Sequence, residues 1–401
     1  MDSIDIRNRK RASDIEPRPC GRGARTLLLA SIGTSSPRGE LGVELDKARL
    51  AQDMGADAVT DHSFYGDLAE FHSALVTNLS ILVSTVGCYE FAARHRGIFY
   101  DAEHGAKAID VLQEQAERGV DIITVHASLK RDHLEILSRS SRMIPMTSKG
   151  GGIVSAFMRQ SGRENPYYEN FDQILDIFAD YQVTLSLGTS LRPATVCDHF
   201  DELTALELQT MAELVARAAG KGVNVMVEGI GHAAIDEIPR YVQTAKRVCH
   251  GVPYRVLPVS TDIALGFDHI SGAIAAATAV AAGADAVTCI SRSEHIGLPS
   301  IDDLKEAIIA SRIAAHSGEL AKLKDYTKDE QMSVTRWQQG CKGDWTAAIV
   351  PVEAEEALRV RGRLNDQLIQ CSMCGAYCGI AAGINTTKAM GSPYQGSRGG
   401  T

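Results

Sequence analysis

GADAVT at 55–60, GVDIIT at 119–124, GVNVMV at 222–227 and GADAVT at 283–288 repeat one local pattern along the chain. Each segment begins with a glycine that follows a helix-like stretch, and a glycine just past a helix end adopts the left-handed conformation that closes the helix. The β-branched run after it is typical of a strand buried on both faces. Helix, glycine and buried strand in repetition predict α/β units with a parallel sheet.

The same pattern, extended to weaker copies, predicts eight strands. They are 27–33, 57–63, 81–87, 122–128, 184–190, 224–230, 255–261 and 286–292. Eight alternating units predict an α/β fold of the (β/α)8 TIM-barrel type. A doubly wound open sheet is the alternative, but no Gly-x-Gly-x-x-Gly motif follows the first strand, which disfavours dinucleotide binding.

The barrel is expected at 26–315, after an N-terminal extension at 1–25. A C-terminal helical arm is expected at 316–380, with helices predicted at 302–324 and 350–370. The Gly/Ser-rich tail, 381–401, is predicted to be flexible.

Composition narrows the class of protein. The 401 residues carry a formal net charge of −9 and are 44% hydrophobic, as in ordinary globular proteins. The acidic balance argues against nucleic acid as a partner. No apolar run of about 20 residues is present, and the N-terminus lacks the apolar core of a secretory signal. We therefore expect a soluble, cytoplasmic chain with no membrane partner.

Polar residues collect at the C-terminal ends of the predicted strands, where the active sites of such barrels lie. They include Ser31, Asp61, His62, Tyr89, His126, Thr189, Arg192, Glu228, His232, Thr261, Asp262, Glu294 and His295. A lone histidine is usually structural, but several that converge on one barrel mouth indicate a site. His232 and His295 could bind Zn2+ or a similar divalent ion.

Two segments are candidates for binding an anion. Ser148-Lys149-Gly150-Gly151-Gly152 follows the fourth strand, and backbone N–H groups of such a loop can hold a phosphate. Arg192 follows the fifth strand and has the donor geometry for phosphate or carboxylate. A flexible loop and a surface arginine remain the alternative.

The nine cysteines are unevenly distributed. Six are scattered singly, and three form Cys371-Ser-Met-Cys374-Gly-Ala-Tyr-Cys378. An odd count without a secretory signal argues against a disulfide framework. Three close thiolates can hold a 4Fe–4S cluster with one open iron, which can bind S-adenosylmethionine for radical chemistry. A structural zinc site or coincidence stays open.

Seven motifs, in this order along about residues 26–380, resemble those of the phosphomethylpyrimidine synthase family. They are TVHAS, SKGGG, SLGTSLRP, VEGIGH, STDIALGFDH, SEHIGLP and CSMCGAYC. The family consists of non-classical radical S-adenosylmethionine enzymes of thiamin biosynthesis. The resemblance implies a TIM barrel with the cluster on a C-terminal arm, a homodimer in which the arm reaches over the partner's barrel, and an electron donor such as flavodoxin or ferredoxin.

The resemblance also implies roles for single residues. The implied ligands of a zinc ion are His232 and His295, and those of the 4Fe–4S cluster are Cys371, Cys374 and Cys378. The implied contacts of the substrate, aminoimidazole ribotide, are Tyr89, His126, Ser148, Lys149, Gly150, Arg192, Glu228 and Tyr254. Of these, Glu228 and His126 are the candidates for catalytic proton transfer or orientation of the imidazole.

The chain departs from the thiamin pattern at Ser31, Thr60, Thr189, Ser190 and Ile230, and in the spacing of the last two cysteines. These departures favour the related 5-hydroxybenzimidazole synthase reaction of cobalamin biosynthesis, a carbon–carbon lyase reaction that converts the ribotide to 5-hydroxybenzimidazole with release of formate. The alternative is phosphomethylpyrimidine synthase itself, which makes hydroxymethylpyrimidine phosphate. A metal-dependent aldolase or hydrolase, or an inactive binding subunit, also stays open.

Overall fold

The structure, a computed structural model, describes residues 2–13, 15–35, 39–95, 102–338, 345–360, 373–380 and 382–383. The chain divides into two compact units, Met1–Leu323 and Lys324–Thr401. Each unit is considered by itself below.

The first unit contains a closed barrel of eight parallel strands in chain order, in which the last strand pairs with the first. The strands are β3 (Leu27–Ile32), β4 (Ala58–Asp61), β5 (Leu82–Val86), β6 (Ile122–Val125), β7 (Thr184–Leu187), β8 (Val225–Gly229), β9 (Tyr254–Val256) and β10 (Ala286–Cys289). This confirms the predicted (β/α)8 barrel and excludes an open sheet. Most strands end a few residues earlier than predicted, because the polar residues after them leave the sheet to form the mouth.

Twelve helices of the first unit surround the barrel in the described part of the chain. They are α1 (Leu41–Asp53), α2 (Leu68–Asn78), α3 (Gly87–Arg94), α4 (Ala102–Arg118), α5 (Arg131–Leu137), α6 (Lys149–Ser161), α7 (Pro166–Glu169), α8 (Phe171–Tyr181), α9 (Glu202–Gly220), α10 (Ile238–Val248), α11 (Asp268–Ala281) and α12 (Ile301–Lys322). The glycines that open the four repeats have φ values of 82°, 96°, 70° and 114°, as expected for residues that end helices. The main hydrophobic core lies between the strands and these helices.

A hairpin covers the N-terminal end of the barrel. Strands β1 (Ser3–Ile6) and β2 (Arg18–Gly21) pair antiparallel. Their buried side chains join the lower interior of the barrel in a second apolar cluster. This cluster consists of Ile4, Ile6, Cys20, Leu27, Leu29, Ala58, Leu82, Ile122, Met226 and Ala286. The segment predicted as an extension therefore contains part of the hydrophobic interior.

Helix α12 extends through the predicted barrel–arm boundary at 315/316 and ends at Lys322. The second unit contains α13 (Thr327–Gln338), α14 (Pro351–Val360) and two single 3₁₀ turns (Trp345–Ala347 and Gly375–Tyr377). The predicted helix at 350–370 is observed as α14, and its part beyond 360 lies outside the described residues, as does most of the tail. None of the helices in the described ranges is long and apolar enough to cross a membrane.

Candidate active site at the barrel mouth

An ion pair lies inside the upper part of the barrel. Glu228 in β8 and Arg255 in β9 are 5% and 1% exposed, and Arg255 Nη1 lies 3.1 Å from Glu228 Oε1. Thr124 and Ser186 donate hydrogen bonds to the same oxygen at 3.1 and 3.2 Å. A buried carboxylate requires such partners, because its removal from water is costly. The predicted site residue Glu228 is thus held by three side chains, one on each of three other strands.

The N-terminus of α6 lies against His126, which follows β6. Ser148 caps the helix and accepts a hydrogen bond from the Gly151 N–H at 3.1 Å. A Cβ atom on Gly150 would lie 2.2 Å from the His126 ring, so only glycine permits this close approach. The structure therefore brings His126 and the predicted anion-binding loop together.

The imidazole of His126 is neutral near pH 7. Burial lowers the pKa of His126 to about 4, with Glu228 opposing and Arg192 reinforcing the shift. Its Nδ1 atom is buried and has no hydrogen-bond partner among the described residues. Because buried polar atoms are normally paired, this unpaired nitrogen makes His126 a candidate ligand contact.

Three cations act on the space above the barrel interior. Burial together with Lys149, Arg255 and Arg192 lowers the pKa of His62, which follows β4. Arg192 is held in place by a hydrogen bond from Nη1 to the Thr189 carbonyl at 3.2 Å. Lys149 stands at the start of α6, where the helix dipole also favours negative charge. The mouth is therefore suited to an anionic ligand.

Tyr89 lies at the edge of this space. It sits in the first turn of α3, and its ring packs on Phe64 with centroids 4.2 Å apart. Burial raises the pKa of the Tyr89 hydroxyl, and the charges of Arg192 and Glu228 also act on it. Tyr89 is therefore close enough to contribute to the predicted ligand site.

Tyr254, a predicted substrate contact, points away from the barrel interior. Neighbouring residues in a strand point to opposite faces, and Arg255 occupies the inner face of β9. Tyr254 is 2% exposed within the outer core, and its hydroxyl would lie 1.9 Å from a Cβ on Gly229. Its side chain supports the barrel wall, so the structure does not favour its predicted contact with a substrate.

A residue that the sequence reasoning missed organises the loop after β7. Glu207 in α9 is 3% exposed. It accepts hydrogen bonds from the Ser128 and Thr189 hydroxyls at 2.9 and 2.7 Å, and from the Ser190 and Leu191 N–H groups at 2.6 and 2.9 Å. These four hydrogen bonds to one buried carboxylate hold the loop after β7 in place, and Arg192 follows in the same loop. The sequence carries no local signal for this pairing, because the partners are 16 to 79 positions apart.

His232 and His295 lie side by side, with ring centroids 5.1 Å apart. His232 Nδ1 contacts Asp262 at 2.5 Å, and His295 Nδ1 contacts Asp268 at 3.0 Å. A carboxylate on Nδ1 orients the ring so that Nε2 can bind a metal ion. No group of three or more His, Cys, Asp or Glu side chains arranged around a metal position occurs in the described ranges. The pair fits a divalent ion that keeps positions for water or a ligand.

Besides the barrel, the cationic mouth and the paired histidines, nearly the whole chain matches one family model. The family model described as "Radical SAM ThiC family" matches residues 3–384. The chain belongs to this family. The predicted family resemblance is therefore confirmed.

Individual relatives of this ThiC-family chain carry one name, phosphomethylpyrimidine synthase. The relative from Caldanaerobacter subterraneus is 40% identical over 92% of this chain and 86% of its own length. Those from Carboxydothermus hydrogenoformans and Fusobacterium nucleatum are 39% and 38% identical, over 92% and 94% of this chain and 86% and 87% of their own lengths. The solved dihydropteroate synthase of Xanthomonas albilineans matches with a TM-score of 0.43 and 14% identity, over 74% of this chain and 94% of that one.

Membership of a radical S-adenosylmethionine family implies S-adenosylmethionine and an iron–sulfur cluster as cofactors. Of the three predicted cluster ligands, Cys371 lies outside the described residues. Cys374 is exposed and Cys378 is partly exposed, on either side of one 3₁₀ turn. By contrast, burial raises the pKa of the Cys88 and Cys289 thiols in the barrel unit. Accessible thiols four positions apart fit cluster ligands, which must be deprotonated.

Proposed function

We propose that this chain is a phosphomethylpyrimidine synthase, which rearranges aminoimidazole ribotide into hydroxymethylpyrimidine phosphate. The observation that carries the proposal is the barrel mouth, where the cations Lys149 and Arg192 stand above neutral His126 and the Glu228 carboxylate. A ribotide has this polarity, with a phosphate at one end and an amino-substituted imidazole at the other. The names of the relatives support the thiamin reaction over the 5-hydroxybenzimidazole reaction that the sequence departures favoured.

The residues of the mouth divide between the two ends of the ligand. Lys149, the N-terminus of α6 and Arg192 bind the phosphate, because each presents positive charge or the positive end of a helix dipole. Glu228 accepts a hydrogen bond from the amino group of the imidazole, and His126 exchanges a proton with the ring as a neutral base. Tyr89 covers the open side of the ligand.

The C-terminal cysteines and the histidine pair bind the cofactors. Cys371, Cys374 and Cys378 hold the 4Fe–4S cluster, and His232 and His295 hold zinc or another divalent ion. When bound, the cluster and S-adenosylmethionine supply the one-electron chemistry that removes a hydrogen atom from the ribose. The proposal includes a homodimer and an external electron donor of the flavodoxin or ferredoxin class.

One observation favours 5-hydroxybenzimidazole synthase as the second candidate. Thr189, which stands where the thiamin enzymes have aspartate, donates its hydroxyl hydrogen to buried Glu207 at 2.7 Å. An aspartate in the same position would face a carboxylate without a proton to share. The loop therefore accommodates a neutral residue at position 189. This supports a mouth that converts the same ribotide to a different product.

Product analysis tests both candidates. Anoxically reconstituted, reduced protein is incubated with aminoimidazole ribotide and S-adenosylmethionine, and the products are identified by mass spectrometry. Hydroxymethylpyrimidine phosphate is the expected product, and 5-hydroxybenzimidazole with formate would replace the first candidate by the second. Cys374→Ala should abolish cleavage of S-adenosylmethionine, and Cys197→Ala, an exposed cysteine outside the motif, is the matched control.

Two other outcomes would contradict both candidates. Turnover in air without S-adenosylmethionine would indicate a metal-dependent aldolase or hydrolase. Failure of the reconstituted wild-type protein to cleave S-adenosylmethionine under reducing conditions would indicate an inactive binding subunit.

A further inference from the structure

Arg255 is among the largest fully buried side chains of the protein, and it lies inside the barrel. Its Nε and Nη2 atoms donate to the Thr288 and Thr60 hydroxyls at 3.0 and 3.2 Å. Its Nη1 atom lies 3.1 Å from Glu228 Oε1 but has no aligned hydrogen bond. Two neutral acceptors do not offset the burial of a full positive charge, so the Glu228 carboxylate must supply the compensating charge.

The contacts of Glu228 are asymmetric. Oε1 receives the hydrogen bonds of Thr124 and Ser186 and lies next to Arg255. None of the described residues donates a hydrogen bond to Oε2. One oxygen is therefore anchored to the barrel wall, and the other is left with its acceptor capacity unused.

We propose that Arg255 is a positioning residue that compensates the charge of Glu228 and anchors it through Oε1, so that Oε2 can accept an N–H hydrogen of the ligand. The role assigned to the ligand rests on the proposed function, whereas the effect of Arg255 on Glu228 does not.

The other titratable groups that face this space do not replace Arg255. His126 on β6 is neutral, since its pKa is lowered to about 4, and Tyr89 on α3 is neutral, since burial raises its pKa. The pKa of His62 after β4 is lowered by burial and by the surrounding cations, so it adds no charge. Arg192 after β7 and Lys149 at the start of α6 are the other cations of this space, and the proposed function assigns both to the ligand phosphate.

The first measurement needs no ligand. Infrared difference spectra of the full chain report the carboxylate stretching bands of Glu228, and Glu228→Gln identifies them. The positions of these bands depend on the charges and donors next to each oxygen, so we expect them to move in Arg255→Gln and to stay near their wild-type positions in Arg255→Lys, which keeps the charge. Unchanged bands in Arg255→Gln, or bands that move equally in both variants, would overturn the proposal. Arg255→Lys decides even where the neutral variant fails to fold, because displaced bands in that variant would contradict compensation by charge.

The second measurement connects this effect to ligand binding. Calorimetric titration with aminoimidazole ribotide should give a Kd roughly tenfold to hundredfold higher for Arg255→Gln than for the wild type near pH 7. Arg255→Lys, which keeps the charge, should restore most of the affinity, whereas a defect that depends only on the shape of the side chain would raise the Kd equally in both variants. Equal increases in Kd for Arg255→Gln and Arg255→Lys would therefore contradict a positioning role. A wild type that does not bind the ribotide would refute the proposed function, and the infrared result would still decide the effect of Arg255 on Glu228.

Discussion

The inside of the barrel has two layers that are built by the same strands and differ in chemistry. On β5 the lower layer has Leu82 and the upper layer has Ser84, and on β8 the corresponding residues are Met226 and Glu228. Residues two positions apart in a strand point to the same face, so both members of each pair face inwards. The lower layer joins the N-terminal hairpin in one apolar cluster. The upper layer contains hydroxyls and a charge pair.

The difference shows how the barrel separates stability from chemistry. The apolar layer gains free energy from burial, at about 25 cal/mol per Å² of apolar surface. Burial of the polar layer costs free energy unless each polar group has a hydrogen-bond partner. Most of these partners are side chains close to the mouth. Substitutions at the lower end should therefore affect folding, and those at the upper end should affect ligand binding.

The largest expected effect on stability comes from a comparison of the two layers within one strand, β5. Leu82→Ala should lower the free energy of unfolding by about 2–5 kcal/mol, because Leu82 is fully buried and a cavity would remain. Ser84→Ala is the matched control. Its hydroxyl is buried without a hydrogen-bond partner among the described residues, so its removal should change stability by less than about 0.5 kcal/mol. Urea denaturation of both variants measures the effects. A larger loss for Ser84→Ala than for Leu82→Ala would refute the separation.

The barrel was predictable from sequence, and the hairpin below it was not. Buried parallel strands are short apolar runs, and the glycines at 55, 119, 222 and 283 mark where helices end before them. All eight strands could be found from these local signals. The β1 and β2 segments, SIDI and RPCG, have no comparable run, and their pairing is decided by the barrel floor that they cover.

The candidate site was predictable where its residues lie next to strand ends. His126 and Glu228 lie near the C-terminal ends of predicted strands and Arg192 follows one, and the topology brings such positions to one mouth. Arg255 and Glu207 were missed, because their partners lie far away in sequence. A single arginine inside the otherwise uncharged run PYRVLPVST, residues 253–261, was the available signal for the first of them.

The second prediction concerns the support of the upper layer from outside the barrel. Glu207→Gln replaces one acceptor oxygen by an NH2 group that would face a donor, so at least one buried N–H or O–H group loses its partner. We expect a loss of about 1–3 kcal/mol in the free energy of unfolding, measured by urea denaturation. Glu213→Gln, exposed on the same helix, is the control and should lie within about 0.5 kcal/mol of the wild type. Equal stability of the two variants would show that the loop after β7 does not depend on the carboxylate.

The smallest expected effect concerns a buried histidine below the mouth. His72 in α2 lies between two carboxylates, with Nε2 2.9 Å from Asp61 and Nδ1 3.3 Å from Glu90. Burial lowers the pKa of His72, but the hydrogen bonds to both carboxylates outweigh it, so the folded-state pKa is raised. Arg118 completes the group through its ion pair with Glu90 at 3.0 Å. Asp61 ends β4 and Glu90 follows Tyr89, so this cluster connects two sides of the mouth.

A raised folded-state pKa means that the native protein holds a proton that the unfolded chain releases above about pH 6.5. The stability from His72 is therefore complete below this pH and is lost as the pH rises through the folded-state pKa. In that window, stability should fall less steeply with pH in His72→Gln than in the wild type, by up to about 1.4 kcal/mol per pH unit for one proton. Urea denaturation over a pH series measures both slopes, and His199→Gln, at an exposed ion pair, should leave the wild-type slope nearly unchanged. Identical slopes for wild type and His72→Gln would show that His72 takes up no extra proton on folding.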